Sequence, residues 1–279
     1  MRHRFTAPGG GRLDKLIADN TALSRKQAKS VIKRGGVRID GRKARFESTT
    51  VDAGAVVEVR TNATPATPDL HIPERYREDG LLVVDKPAGL PAQPTRQGNR
   101  QHLYGALMAR ERYVGLHHRL DTPASGLMLF TLDRGLNRAI ADAFREGTIH
   151  RRYWVVVVGA PDRAGGRWAG AIDGKSAATV WRRAAVGAGM SVLEASLETG
   201  RTHQIRRHAA DAGLPLIGDR RYGGAAGRAW PRLALHAHQL TFHHPRKDED
   251  VTVDSPLPDD LAPLFARAGW PPQGVPIES

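Results

Sequence analysis

The sequence predicts an α+β protein: a body on a large, mixed, mostly antiparallel sheet with flanking helices and a central cleft, preceded by a small α+β module. Three observations carry this. Short apolar segments recur through residues 74–268 with few helical stretches between them. Residues 1–60 hold 14 basic and 6 acidic side chains, +8 of a net charge of +13. Between the two regions, "TNATPATPDLHIP" (61–73) is rich in Thr and Pro and has no periodicity, as a linker does.

The module is expected over 11–60. Leu13, Leu16 and Ile17 in "GRLDKLIADN" fall at helical spacing. In "SRKQAKSVIKRGG", Ser24 with Gln27 three residues on is a capping-box pattern, and Gly35-Gly36 supplies the stop. At 100° per residue Ala28, Val31 and Ile32 share one side and Arg25, Lys26, Lys29 and Lys33 the other. Such a cationic face suits a phosphate backbone; a solvated helix face is the plainer alternative. "VRIDGRKAR" carries an Asp40-Gly41 hairpin signal, and "AVVEV" closes the unit as a strand.

In the body, "LLVVDKPAG" reads as a buried strand entering a turn and "GLMLFT" as a second strand. "GLNRAIADAFREG" is an amphipathic helix, "YWVVVVG" a strand, and "ATVWRR" and "SVLEASLE" alternate as antiparallel strands do. "THQIRRHAADAG" is a short helix ended by glycine, and "LALHAHQLTF" alternates again. Residues 269–279 read as a loose tail.

The 279 residues allow one large domain or two ordinary ones, and 40% hydrophobic content supports a substantial core. No cysteine is present, which excludes disulfides, thiolate metal sites and a cysteine nucleophile. No apolar run nears the ~20 residues of a membrane span, and "MRHRFTAPGGGR" lacks the apolar centre of a secretory signal. A cytoplasmic protein with no membrane partner is expected. The concentrated positive charge reads as a footprint for a polyanion, above all nucleic acid.

Four chemistries compete for "HHRLDTPASGLMLF" (117–130). A hydrolase triad on Ser125 lacks the G-x-S-x-G setting of a nucleophile elbow. A metal site could draw on Asp121, His117, His118, His236, His238, His243 and His244, yet no zinc spacing with a strong signal occurs. "PGGGR" and "GDRRYGGAAGR" lack the pattern of a phosphate cradle. The fourth reading makes Asp121 a lone carboxylate, nucleophile or electrostatic partner, held by a cation.

Residues 12–15, 24–41 and 51–59 resemble the small RNA-binding domain named after ribosomal protein S-four, with "RLDK", "SR…A…I" and "VRIDG" in order. The resemblance implies structured RNA as partner. "YREDGLLVVDKPAGLP" (76–91), "HRLDTPASGLMLF" (118–130), "YWVVVVG" (153–159) and "TGRTHQIRRHAADAGLPLIGDRRYG" (199–223) resemble the pseudouridine synthases of the RluA type. That resemblance implies that Asp121 is the catalytic aspartate, that Tyr153 stacks on the target base and helps remove its carbon-five proton, and that Arg206 holds Asp121 in an ion pair. It implies Ile205 beside the base and Arg119 in the space the extruded uridine leaves. His118, Arg201 and His203 join the expected RNA contacts.

The chemistry suits those residues. Uridine becomes pseudouridine when the ribose–nitrogen bond breaks and the ribose joins carbon five; nothing is lost and no redox step occurs, so neither cofactor nor metal is expected. The base must leave its stack to be turned over, and a close arginine keeps a buried carboxylate ionised and aimed. Attack on the anomeric carbon and removal of the ribose 2′ proton both fit. Thr122, Pro123 and Ala124 depart from the family loop, which bears on its shape and on which RNA is read. Large-subunit (23S) ribosomal RNA is the favoured substrate and transfer RNA the alternative. A metal-dependent hydrolase acting on RNA and a non-catalytic RNA-binding or assembly factor are the rival classes. A monomer is expected.

Overall fold

The computed structural model describes residues 2–33, 35–44, 46–61, 71–94 and 101–271. The chain divides into two compact units, residues 1–70 and 71–279. Most of the expected linker and of the expected tail lies outside the described residues.

The first unit contains β1 (Arg2–Thr6), β2 (Gly11–Arg12), α1 (Leu13–Asn20), α2 (Arg25–Lys33), β3 (Val37–Ile39), β4 (Arg42–Lys43), β5 (Thr50–Val51) and β6 (Val56–Arg60). Its main sheet runs β1-β6-β3-β4, antiparallel throughout, and β2 pairs with β5. Leu13, Leu16 and Ile17 of α1 and Ala28, Val31 and Ile32 of α2 meet in one core. The capping box forms both ways: Gln27 N–H donates to Ser24 Oγ at 3.3 Å, and Ser24 N–H donates to Gln27 Oε1 at 2.7 Å. Asp40 and Gly41, both at positive φ, make the tight β3–β4 turn. β1 precedes the expected start at residue 11; "RHRFT" holds a single large apolar side chain, too little to signal a strand.

The second unit contains β7 (Glu74–Glu78), β8 (Leu81–Lys86), α3 (Leu103–Met108), β9 (Gly115–Leu116), β10 (Ser125–Thr131), α4 (Asn137–Glu146), β11 (His150–Val158), β12 (Gly165–Ile172), β13 (Lys175–Gly187), β14 (Met190–Leu197), α5 (Gln204–Asp211), β15 (Leu235–His244), β16 (Glu249–Asp254) and α6 (Ala262–Arg267). Ten strands form one sheet in the order β12-β13-β14-β11-β15-β10-β8-β7, with β16 on β15 and β9 on β10. Every pairing is antiparallel except β10 with β15.

Two apolar clusters hold helices against this sheet. Ile140 of α4 packs with Leu81, Val83, Leu127, Leu129 and Phe242. Leu264 and Phe265 of α6 pack with Val156, Val192 and Ile217. Each such side chain contributes about 1.5–3 kcal/mol through burial. β10 is buried at every position, as a continuous apolar run in a central strand should be.

The parallel contact fixes the start of β10. Gly126, at φ +115°, lies so close to Ala237 that a Cβ would come 2.3 Å from that residue's carbonyl oxygen. Only glycine meets both demands, so the glycine of "SG" after the Asp121 loop is a backbone requirement. No described helix is long and apolar enough to cross a membrane.

Candidate active site

Asp121 lies in the loop that enters β10, and its position is set largely by backbone atoms. Lys86, at the end of β8, is fully buried. Its Nζ donates to the carbonyls of Pro87 (2.9 Å), Leu90 (2.9 Å), Thr122 (3.4 Å) and Ala124 (2.6 Å). Gly89 N–H also donates to Thr122 C=O at 2.8 Å. Burial pushes the Lys86 pKa down to about 7, against the pull of the Asp121 carboxylate. Thr122 and Ala124 are thus tied down through their backbone carbonyls.

Arg206, buried on α5, donates from Nη1 to Asp121 Oδ2 at 2.8 Å. Its Nε and Nη2 donate to the two oxygens of Asp219, both at 2.7 Å. Asp219 Oδ1 also accepts the N–H groups of Arg221 (3.0 Å) and Tyr222 (3.1 Å). Burial works against both charges; the mutual bonds outweigh it, holding Arg206 above and Asp219 below their ordinary ranges. His203, in a left-handed conformation (φ +58°) at the start of α5, puts Nε2 3.6 Å from Asp121 Oδ1, and its Nδ1 pairs with the Tyr222 hydroxyl at 2.9 Å.

Tyr153 comes from β11. It stands opposite Ala237 of β15, which in turn stands opposite Gly126 of β10. The ladder to β15 shifts here, with Arg152 opposite Gln239 and Tyr153 opposite Ala237, so that His238 is the extra residue, while the pairing of β11 with β14 runs on unbroken. Tyr153 is only 4% exposed; burial raises its pKa, with Asp121 adding to the rise and Arg151 opposing it.

These residues face a cavity of about 590 Å³ lined by Asp121, Tyr153, Arg119, His118, Arg201, His203 and, from α4, Phe144. A second hollow, of about 430 Å³, shares Gln93, Arg119, Asp121 and His203 with it. Asp121 therefore sits where two hollows of the cleft meet. The larger could hold a whole nucleotide, with a carboxylate at one wall and an aromatic ring at another.

The other expected residues divide. Arg119 and Arg201 line the cavity exposed, with bonds to Thr202 Oγ1 (3.0 Å) and Ser176 C=O (3.1 Å). His118 lines it too, but its Nε2 accepts the Leu129 N–H at 2.9 Å and its ring stacks on Phe144. Burial, with help from Arg151, drives its pKa down to about 3, so it is a neutral acceptor inside the protein. Ile205 is buried in the first turn of α5 and does not line the cavity.

The basic helix of the first unit also differs from a plain cationic stripe. Asp14 is fully buried, and Arg12 (3.2 Å), Arg25 (3.0 Å) and Lys29 (3.7 Å) converge on it. Burial raises its pKa, but Arg12 and Arg25 outweigh that and bring it down to about 2. Lys26 is exposed, and the side chain of Lys33 lies outside the described residues.

The rival chemistries find little footing. Ser125 Oγ is 3.0 Å from His236 Nδ1, but both residues are buried and neither lines the cavity. His236 and His238 are engaged separately: His238 pairs with Glu194 and stacks on Trp154. Among the described residues no three of His, Asp and Glu gather as metal ligands would.

Lys86, Asp219 and Arg151 had no role assigned from sequence. Lys86 could have been suspected as the one cation ending an apolar strand, and Arg151 as a charge alternating with Tyr153. Asp219 lies in the quoted block 199–223, but its grip on Arg206 shows only in the fold.

Comparison with known proteins agrees with this geometry. Residues 80–211 match the family model for RNA pseudouridylate synthase and residues 11–57 that for the S4 domain. The chain is 33% identical over 295 residues to the ribosomal large subunit pseudouridine synthase D of Xanthomonas campestris pv. campestris, covering 92% of this chain and 88% of the relative. It is 32% identical over 297 residues to the protein of that name in Xylella fastidiosa, with the same shares covered. Human RNA pseudouridylate synthase domain containing 4 shares the fold, with a TM-score of 0.59 at 20% identity over 70% of this chain and 92% of that one. The fold and site define an RNA-modifying isomerase. The chain belongs to the RluA-type RNA pseudouridine synthases and carries an N-terminal S4 RNA-binding domain.

Proposed function

We propose that the protein isomerises specific uridines of large-subunit ribosomal RNA, with Asp121 as the reacting carboxylate, Arg206 as the residue that holds it and Tyr153 as the aromatic group under the base. The 2.8 Å ion pair between Asp121 and Arg206, at a cavity that Tyr153 also lines, carries this reading.

The uridine swings out of its stack into the cavity, where its anomeric carbon meets Asp121. Because the Arg206 guanidinium is fixed by Asp219, the carboxylate is aimed before substrate arrives, and little reorganisation remains for the reaction. Asp121 either bonds to the anomeric carbon or takes the ribose 2′ proton. Both detach uracil, which turns over and rejoins through carbon five. The Tyr153 ring holds the base by stacking, and its phenol, kept protonated by burial, passes its own proton on toward N1 as it accepts the one from carbon five. Arg119, Arg201 and His203 contact the strand on either side, and Arg119 fills the gap the base leaves. The work is that of a monomer in the cytoplasm, and it requires no metal.

The names of the Xanthomonas and Xylella relatives support ribosomal RNA as substrate. Mapping pseudouridine in total RNA with and without the gene product tests it. Loss of one or a few pseudouridines from large-subunit ribosomal RNA is expected; loss confined to transfer RNA would overturn the substrate assignment.

A further inference from the structure

The cavity holds one enclosed cation whose charge the protein leaves unanswered. Arg151 precedes Tyr153 by two residues on β11, so both side chains leave the same face of the strand, and both line the cavity. The residue is 9% exposed. Among the described residues no carboxylate pairs with it, and its buried Nε has no hydrogen-bond acceptor. Its guanidinium lies 5.5 Å from the centre of the Phe144 ring. Arg206, by contrast, answers two carboxylates.

The space for this cation is built in. A Cβ on Gly200 would fall 3.2 Å from Arg151 Nη1, so a side chain there would press on the guanidinium. Only its Nε is shut off from water, while the residue still borders the cavity; a largely buried charge without a carboxylate partner is unfavourable, and its retention beside the reacting groups points to an anion that arrives during the reaction.

The isomerisation makes such an anion. When the bond from C1′ to N1 breaks, its electron pair leaves with uracil, whichever way Asp121 acts. Asp121 bonds to C1′, or it takes the 2′ proton while a C1′=C2′ double bond forms. Until C5 bonds to C1′, uracil carries one negative charge spread over N1, O2 and O4. C5 then bonds to C1′, displacing the Asp121 carboxylate in the first case and with C2′ reprotonated in the second; C5 gives up its proton and N1 gains one. Once Asp121 has bonded to C1′ or taken the 2′ proton its charge is gone, and Asp219 and Arg206 cancel each other, so this group offers no net positive charge to the intermediate.

We propose that Arg151 is a catalytic residue that binds the detached uracil anion, its guanidinium donating to the ring's carbonyl oxygen. This rests on the pseudouridine synthase reading above. Phosphates of the strand have the exposed Arg119 and Arg201 to meet, whereas Arg151 is enclosed.

The test uses the full-length protein and a substrate RNA carrying uridine or 5-fluorouridine at the target. With uridine, Arg151→Met is expected to lower kcat by about 10²–10³-fold, as loss of one preorganised donor to a developing charge does, while RNA Kd stays within about twofold. Arg151→Lys, which restores the charge, is expected to recover at least about tenfold of that loss. Cleavage of the glycosidic bond of 5-fluorouridine is expected to suffer at least about tenfold less in Arg151→Met, because fluorine already stabilises charge on the ring. Weakened RNA binding with unchanged kcat would overturn the proposal in favour of a phosphate contact. Equal losses on both substrates with no recovery by lysine would overturn it in favour of a packing role. A wild type that forms no pseudouridine in any RNA would instead sink the functional reading itself.

Discussion

Arg206 meets Asp121 with one guanidinium nitrogen, Nη1 at 2.8 Å, while Nε and Nη2 both bond Asp219 at 2.7 Å. The stronger, two-pronged grip is on the carboxylate that does not face the cavity. Arg206 is thereby anchored from behind, and Asp121 receives a guanidinium that cannot turn away.

Asp219→Asn should therefore harm catalysis without touching the substrate. Breaking one side of a buried pair costs about 3–5 kcal/mol, and the loosened Arg206 should reduce kcat by at least about tenfold. Urea unfolding and single-turnover kinetics measure the two effects. Wild-type kcat in a folded Asp219→Asn protein would contradict the anchoring role.

Lys86→Met should act on the same site from the other side. It leaves the carbonyls of Pro87, Leu90 and Ala124 without this donor, while Thr122 keeps the Gly89 N–H, and each unsatisfied buried group costs about 1–3 kcal/mol. Lower stability and a loss of kcat larger than any loss of RNA affinity are expected. Thermal unfolding with a binding assay checks this.

In the first unit, Lys26 and Arg25 should separate. Lys26→Ala removes an exposed cation and should reduce the salt slope of RNA binding by about one, leaving stability unchanged. Arg25→Ala should also destabilise the fold, since Arg25 pairs with buried Asp14. Deleting residues 1–60 should weaken binding and flatten its salt dependence.

The same carboxylate gives a pH test. Asp14 titrates at about 2 in the fold against an ordinary 3.8. A depressed folded pKa means that its stabilisation is complete above about pH 4 and is lost as pH falls toward 2. Asp14→Asn should be less stable than wild type at neutral pH, and the gap should narrow across that window. A constant gap in urea titrations would argue against an ionised Asp14.

Most of the fold was legible because its elements announce themselves locally. The apolar run 127–130 marks β10, Ser24 and Gln27 mark the start of α2, and Asp40-Gly41 marks a hairpin. The parallel pairing of β10 with β15 was not legible, because it depends on two segments more than a hundred residues apart. The site divides the same way. Asp121, Tyr153 and Arg206 stood out through the family blocks that contain them. Lys86 and Asp219 lie in the same blocks, but their bonds to the Asp121 loop and to Arg206 arise only in the folded chain, as does the enclosure of Arg151. Helical periodicity put Arg25 and Lys29 on a cationic face but could not reveal that Asp14, on the neighbouring helix, draws both inward.

The central claim is that the Asp121 carboxylate does the chemistry. Asp121→Asn preserves shape and removes the charge, so the most direct measurement is single-turnover pseudouridine formation by this variant alongside its RNA affinity. The account expects no detectable product with Kd within about threefold of wild type. Product formed at a rate close to wild type would contradict it.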